Sequence, residues 1–218
     1  MPQLTPFAIP LWAELVAVAI GALQGALFAL GLRDRRIDVL GAVLVGIGVA
    51  LGGSLLRDVL LGEPPVVIRG AWYVLTAAVT ALVALVLSRV FARLDPAIVA
   101  LDALTIGVFG AIGTTKALAL GVPPVPAVFV GAAAATGGSV VRDVTLGLPA
   151  ALLQVGSLYA VAAGAGGILI VVLVAIGVAV LPAAIAAVVL TTAIRLLAVR
   201  FGWTFPEQSA LVVKPRGR

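Results

Sequence analysis

At 218 residues, 63% hydrophobic and 11% charged, with a mean hydropathy of +1.28, the chain carries more apolar surface than one soluble core can hide, so it reads as an integral membrane protein. It has no cysteine and no histidine, which excludes disulfides, thiol nucleophiles, imidazole bases and His or Cys metal sites. A net charge of +5 would suit nucleic acid in a soluble chain, but here the basic residues flank apolar runs and fit membrane orientation, so no nucleic-acid partner is expected.

A bilayer core takes about 20 apolar residues per helix. Reading between charges, prolines and glycines predicts helices near 11–31, 38–61, 66–91, 97–119, 123–146, 151–174 and 178–200. This is an all-α fold of seven spans in a single membrane domain over 1–200, with a short cytoplasmic tail at 201–218. No positive charge precedes the first stretch and no small-residue cleavage site follows it, so it reads as a span and not a removable signal. Gly177 and Pro182 mark the turn inside the last long apolar run. If the helices alternate, Arg33, Arg35, Arg36, Arg89, Arg93, Arg195, Arg200, Lys214, Arg216 and Arg218 share one side, against Arg69 and Lys116 on the other. The positive-inside rule then puts the N-terminus outside and the C-terminus in the cytoplasm.

The segment GGSLLRDVLLGEP at 52–64 returns as GGSVVRDVTLGLP at 137–149, 85 residues later. Over 46–64 against 131–149, 11 of 19 positions match, which apolar composition alone does not give. The chain is a duplication, with repeats over about 11–91 and 97–174 and a seventh helix that has no counterpart. Three helices per repeat is an odd number, so the second copy enters the membrane with opposite polarity, and the repeats are expected to be inverted about an axis in the membrane plane.

The repeated unit holds unusual residues for a membrane helix. Gly52 and Gly53, with Gly137 and Gly138, weaken their helices and expose backbone, so a kink is expected there, with carbonyls available to a monovalent cation and with Ser54 and Ser139 as caps or hydroxyl ligands. Close helix packing is the competing reading, since small-xxx-small faces also occur at Gly21 with Gly25 and at Ala160 with Gly164. Arg57 with Asp58, and Arg142 with Asp143, are too costly to face lipid; they line a wet path or form fixed ion pairs. Lys116 is either an interfacial anchor or a charge that answers the membrane potential. Glu14 and Asp102 could be buried partners or interfacial charges, while Trp72, Tyr73 and Trp203 look like aromatic-belt residues at helix ends.

The double GGS-x-x-RD-x-x-LG unit, together with LDALTIGVFGAIGTTKALALG at 101–121, resembles the prokaryotic branch of the trimeric intracellular cation (TRIC) channel family, whose duplicated domain is also catalogued as UPF0126 or glycine transporter. The resemblance covers about residues 11–200. It implies a homotrimer in a prokaryotic inner membrane, with seven helices per subunit. It also implies one path per subunit, kinked at the paired glycines of the second and fifth helices. That path would pass monovalent cations, mainly potassium, with no cofactor beyond permeant K+ or Na+. On that pattern Lys116 falls where the family carries a basic residue linked to voltage response. The chain departs from the animal members in lacking their longer basic tail.

Two other functions compete with a channel. Inverted repeats with broken helices also serve carriers, so a small-solute transporter, for glycine or a similar amino acid, is the alternative. An intramembrane enzyme is not expected, because neither Ser54 nor Ser139 lies at motif spacing from a lysine or another base.

Overall fold

The computed structural model describes residues 9–204, apart from 33, 35, 91–94 and 154–157 and the side chains of 89, 90 and 95. Among these residues the architecture is helical throughout: α1 (Leu11–Gly31), α2 (Val39–Leu60), the one-turn α3 (Val66–Arg69), α4 (Ala71–Val90), α5 (Asp95–Ala119), α6 (Pro124–Thr145), α7 (Tyr159–Ala175) and α8 (Val180–Phe201), with a 3-10 turn at Ala151–Leu153. Six helices, α1, α2, α4, α5, α6 and α8, are long and apolar enough to cross a membrane, and α7 is apolar with 17 residues.

Two predicted helices change. The expected helix at 66–91 is split, because Gly70 is extended and ends α3 before α4 begins. The one expected at 151–174 begins only at Tyr159, after the 3-10 turn. Of the ten basic residues used for orientation, Arg33, Arg35, Arg93, Lys214, Arg216 and Arg218 lie outside the described residues, as does the tail beyond 204.

Packing runs opposite to a soluble core. The buried set is dominated by alanine, with Ala22, Ala26, Ala42, Ala50, Ala77, Ala81, Ala84, Ala103 and Ala127 fully enclosed, while Leu, Val, Ile and Phe crowd the outside. Small residues inside let helix backbones approach, and large ones outside meet lipid chains. Gly25 shows how close this is: a Cβ there would sit 2.6 Å from Val49 Cγ2 and 3.1 Å from Gly46 Cα. Gly164 does the reverse and faces open space among the described residues, so the expected Ala160–Gly164 packing face is not used here.

In the two copies α1 lies beside α5 and α2 beside α6, each pair antiparallel. Gln24, late in α1, reaches Asp102, early in α5. Gly48 and Gly52 of α2 abut Val141 of α6, while Gly53 abuts Ala134.

The duplicated Leu-Gly ends a helix in both copies. At Gly62 (φ +67°) the Glu63 amide donates to Asp58 O at 2.9 Å, and at Gly147 (φ +59°) the Leu148 amide donates to Asp143 O at 2.8 Å. With the Gly62 and Gly147 amides bonded to Val59 O and Val144 O, both are Schellman caps, which need a left-handed residue. Gly62→Ala or Gly147→Ala should each cost about 1–2 kcal/mol, seen as an earlier midpoint when the protein is unfolded in detergent. Unchanged midpoints in both variants would mean that the left-handed geometry costs nothing here.

Candidate functional site

The paired glycines mark where α2 and α6 cross. A Cβ on Gly137 would meet Gly52 O and Gly53 Cα, both at 3.1 Å, and one on Gly138 would meet Val49 O at 2.5 Å. A Cβ on Gly53 would fall well inside contact distance of Ala134 O. Both helices run unbroken through these pairs. The glycine pairs do not interrupt the helices in this conformation; without a Cβ they let the two backbones approach closely. Ser54 and Ser139 are not caps either: each hydroxyl donates to the carbonyl three residues back, Leu51 O at 2.9 Å and Thr136 O at 2.8 Å. Such back-bonding bends helices slightly.

The motif's charges build two clusters at opposite ends of the α1–α5 pair. In the first, Arg57 Nε donates to Asp58 Oδ1 at 2.7 Å and Arg57 Nη2 lies 3.6 Å from Glu14 Oε1. Lys116 Nζ also reaches Asp58 Oδ1 at 2.7 Å, and the Tyr73 hydroxyl donates to Glu14. In the second, Arg142 Nε donates to Asp143 Oδ1 at 2.8 Å and Nη1 to Asp102 Oδ1 at 3.3 Å. The Tyr159 hydroxyl donates to Asp102 Oδ2 at 2.6 Å, and Arg195 Nη2 stands 3.5 Å from the same oxygen.

Each cluster thus holds two cations and two carboxylates, Arg57, Lys116, Asp58 and Glu14 in one and Arg142, Arg195, Asp143 and Asp102 in the other. Neutral totals let the charges stay buried, since each ion is paired where lipid could not solvate it. The fourth member has a different origin in each. Lys116 comes from α5; α1 aligns with α5 at a displacement of 88, Glu14 on Asp102 and Gly25 on Gly113, and there the place of Lys116 is taken by Phe28, whose ring instead lies 4.0 Å beneath the Arg142 guanidinium. Arg195 of α8, stacked 4.0 Å over Tyr159, supplies the missing cation.

Asp58 and Asp143 have a further task. Asp58 Oδ2 accepts the Val66 amide at 2.9 Å and Asp143 Oδ2 the Ala151 amide at 2.7 Å, so each carboxylate starts the short element that follows its helix. The fixed ion pair is therefore the geometry observed for both Arg-Asp pairs. Lys116 points onto Asp58 and is no free interfacial anchor, and Glu14 and Asp102 are buried-cluster partners. Trp72 and Trp203 are exposed as belt residues should be, but Tyr73 is buried by its bond to Glu14.

Sequence reasoning missed Gln24, Phe28, Tyr73, Tyr159 and Arg195 as cluster members. A signal existed for the tyrosines, which stand 86 residues apart near the starts of equivalent helices. Below the first cluster a crevice lined by Glu14, Ser54, Arg57, Tyr73, Phe109 and Ile112 encloses about 10 Å³, the room of one water. Arg57 Nη2 has no hydrogen-bond acceptor among the described residues.

Comparison with known proteins places this arrangement. The family described as "Glycine transporter" matches twice, over residues 11–89 and 99–175. A UPF0126 membrane protein of Deinococcus radiodurans is 34% identical over 157 residues, covering 71% of this chain and 72% of that protein. The UPF0126 inner membrane protein YadS of Escherichia coli K12 is 33% identical, over 72% and 75% of the two chains. Among solved structures, the TRIC trimeric intracellular cation channel orthologue from Rhodobacter sphaeroides aligns with TM-score 0.80 and 28% identity over 88% of this chain and 97% of that one. A second TRIC cation channel structure aligns with TM-score 0.77 and 28% identity. By two copies of one family domain and a shared fold along nearly its whole length, this multi-pass membrane protein belongs to the UPF0126, or glycine transporter, family and is a structural relative of the prokaryotic TRIC channels.

Proposed function

We propose that the protein is a monovalent cation channel with potassium as its main ion, working as a homotrimer with one path through each subunit. The observation that carries this reading is the alignment with a TRIC cation channel over 97% of that channel's length. Each subunit would cross the membrane seven times, as two inverted three-helix repeats closed by α8, in a prokaryotic inner membrane with the N-terminus outside. The path would run between the two charge clusters, past the α2–α6 crossing, and open by bending at Gly52–Gly53 and Gly137–Gly138, where serine back-bonds already favour a bend. An apolar groove of about 690 Å³ between α2 and α6, lined by Leu55, Leu56, Val59 and Phe129, is available for subunit contact.

No catalytic step and no cofactor is part of this reading. A path lined by hydroxyls and neutral charge clusters lacks a ring of closely set ligands, so it should pass cations over anions while separating potassium from sodium only modestly. Single-channel recording of purified protein in planar bilayers, under potassium, sodium and chloride gradients, tests this. Currents that reverse near the potassium potential against chloride, with a small shift on sodium exchange, are expected. Saturable uptake of a small amino acid without unitary currents would instead establish the carrier suggested by the family's description.

A further inference from the structure

Where α1 and α5 cross α2 and α6, the two copies carry residues of very different size at equivalent places. Glu14 corresponds to Asp102 and Gly25 to Gly113, each 88 residues apart, and Gly113 approaches Gly131 Cα as Gly25 approaches Gly46 Cα. By the same displacement Phe109 stands where the first copy has Gly21, and Ile112 where it has Gln24. The Phe109 ring rests on that glycine: a Cβ at Gly21 would lie 3.2 Å from Phe109 Cε2, and one at Gly53 would lie 3.2 Å from Cδ1. The ring is 4% exposed and forms the floor of the crevice beneath Arg57, Glu14 and Ser54.

Polar groups therefore lie on both sides of one apolar layer. On the Glu14 side are Ser54, Arg57 and Tyr73; toward the Asp102 side are Gln24, Arg142 and Tyr159. Only one bulky ring fits at the crossing, because its counterpart is glycine. We infer that Phe109, backed by Ile112, is a hydrophobic plug that holds the path shut at the level of the α2–α6 crossing. The inference rests on the channel reading. A constriction of this kind gates by excluding water, since a cation cannot shed its hydration against an aromatic face with no ligand in return. Opening then requires the ring to leave Gly21 and Gly53, which a bend of α2 at the adjacent Gly52–Gly53 would allow.

The natural absence of cysteine makes access measurable. Single cysteines replace Ser54, on the Glu14 side of the ring, or Ser139, the equivalent place in the second copy. Silver ion, thiol-reactive and close to potassium in size, is added to right-side-out or inverted vesicles, and unreacted thiol is counted with a maleimide after denaturation. The vesicles in which Ser54→Cys reacts faster expose the Glu14 end. From that end Ser139→Cys should react at least about tenfold more slowly than Ser54→Cys, and Phe109→Ala or Phe109→Asn should abolish the difference while Phe109→Leu keeps it. In bilayers, Phe109→Asn should raise the mean potassium current about tenfold and Phe109→Leu should leave it near the parent's. If Phe109→Ala does not stay monodisperse in detergent, the Asn and Leu variants decide. Monodisperse Phe109→Asn protein that keeps the parent's ratio of silver reaction overturns the plug. Loss of that ratio with no potassium current in the parent or any variant keeps the plug and overturns the channel reading.

Discussion

Replacing Gly53 or Gly138 with alanine is expected to push α2 and α6 apart and to destabilise the whole bundle, more than any other glycine change in the duplicated segment. The added methyl group has no rotamer with which to escape. At Gly138 it lands 2.5 Å from Val49 O, and at Gly53 it lands on Ala134 O, so the obstacle in both places is backbone. Overpacking costs about 1–3 kcal/mol where side chains can give way, and a main-chain obstacle puts these sites at or above the top of that range. Leucine should be worse still. Gly164→Ala is the matched control: a Cβ there meets nothing within 4 Å among the described residues, so helix propensity alone acts, and a gain of up to about 1 kcal/mol is expected. Equilibrium unfolding in mixed micelles of mild detergent and dodecyl sulfate reads all three. Gly53→Ala and Gly138→Ala proteins as stable as the parent, yet altered in ion flux, would show that the glycines serve bending and not approach.

Asp58→Asn is expected to damage the protein far more than Asp143→Asn, although the two aspartates occupy the same place in the repeat. Asp58 is 0% exposed and its two oxygens serve Arg57, Lys116 and the Val66 amide. Neutralising it leaves two buried cations facing Glu14 alone, and turns one acceptor into an amide that points donors at donors. Breaking a buried pair in this way costs about 3–5 kcal/mol. Asp143 accepts from Arg142 and the Ala151 amide with no lysine beside it among the described residues, and Arg142 keeps Asp102 and the Phe28 ring when Asp143 is neutral. Lys116→Met in the Asp58→Asn background should recover part of the loss, because it removes the second stranded cation. Unfolding midpoints of the four proteins give the coupling directly. Equal losses at the two aspartates, or no recovery with Lys116→Met, would mean that Lys116 is not held by Asp58 in the membrane.

The sequence by itself determined the membrane class, the approximate places of most long helices and the duplication, because these follow from local quantities: hydropathy over a window the thickness of a bilayer, and identity at a fixed displacement of 85 residues. It also singled out Gly52, Gly53, Arg57 and Asp58 with their second copies. Which task each performs depends on what stands opposite, and no local quantity carries that. A glycine pair reads alike whether a helix bends there or another backbone presses against it; the nearness of Val49 O and Ala134 O was decided only when α2 and α6 crossed. The helix at 151–174 was misplaced for a similar reason, since an apolar run does not disclose that Asp143 starts a 3-10 turn at Ala151. Tyr73 looked like a belt residue until Glu14, 59 positions away in the chain, came within hydrogen-bond reach. Above all, the pairing of cations with carboxylates belongs to the tertiary structure. Arg195, on a helix outside the repeat, completes the cluster at which Phe28 stands where Lys116 would be, because buried charge must balance within a few ångströms in space, whatever the separation in sequence.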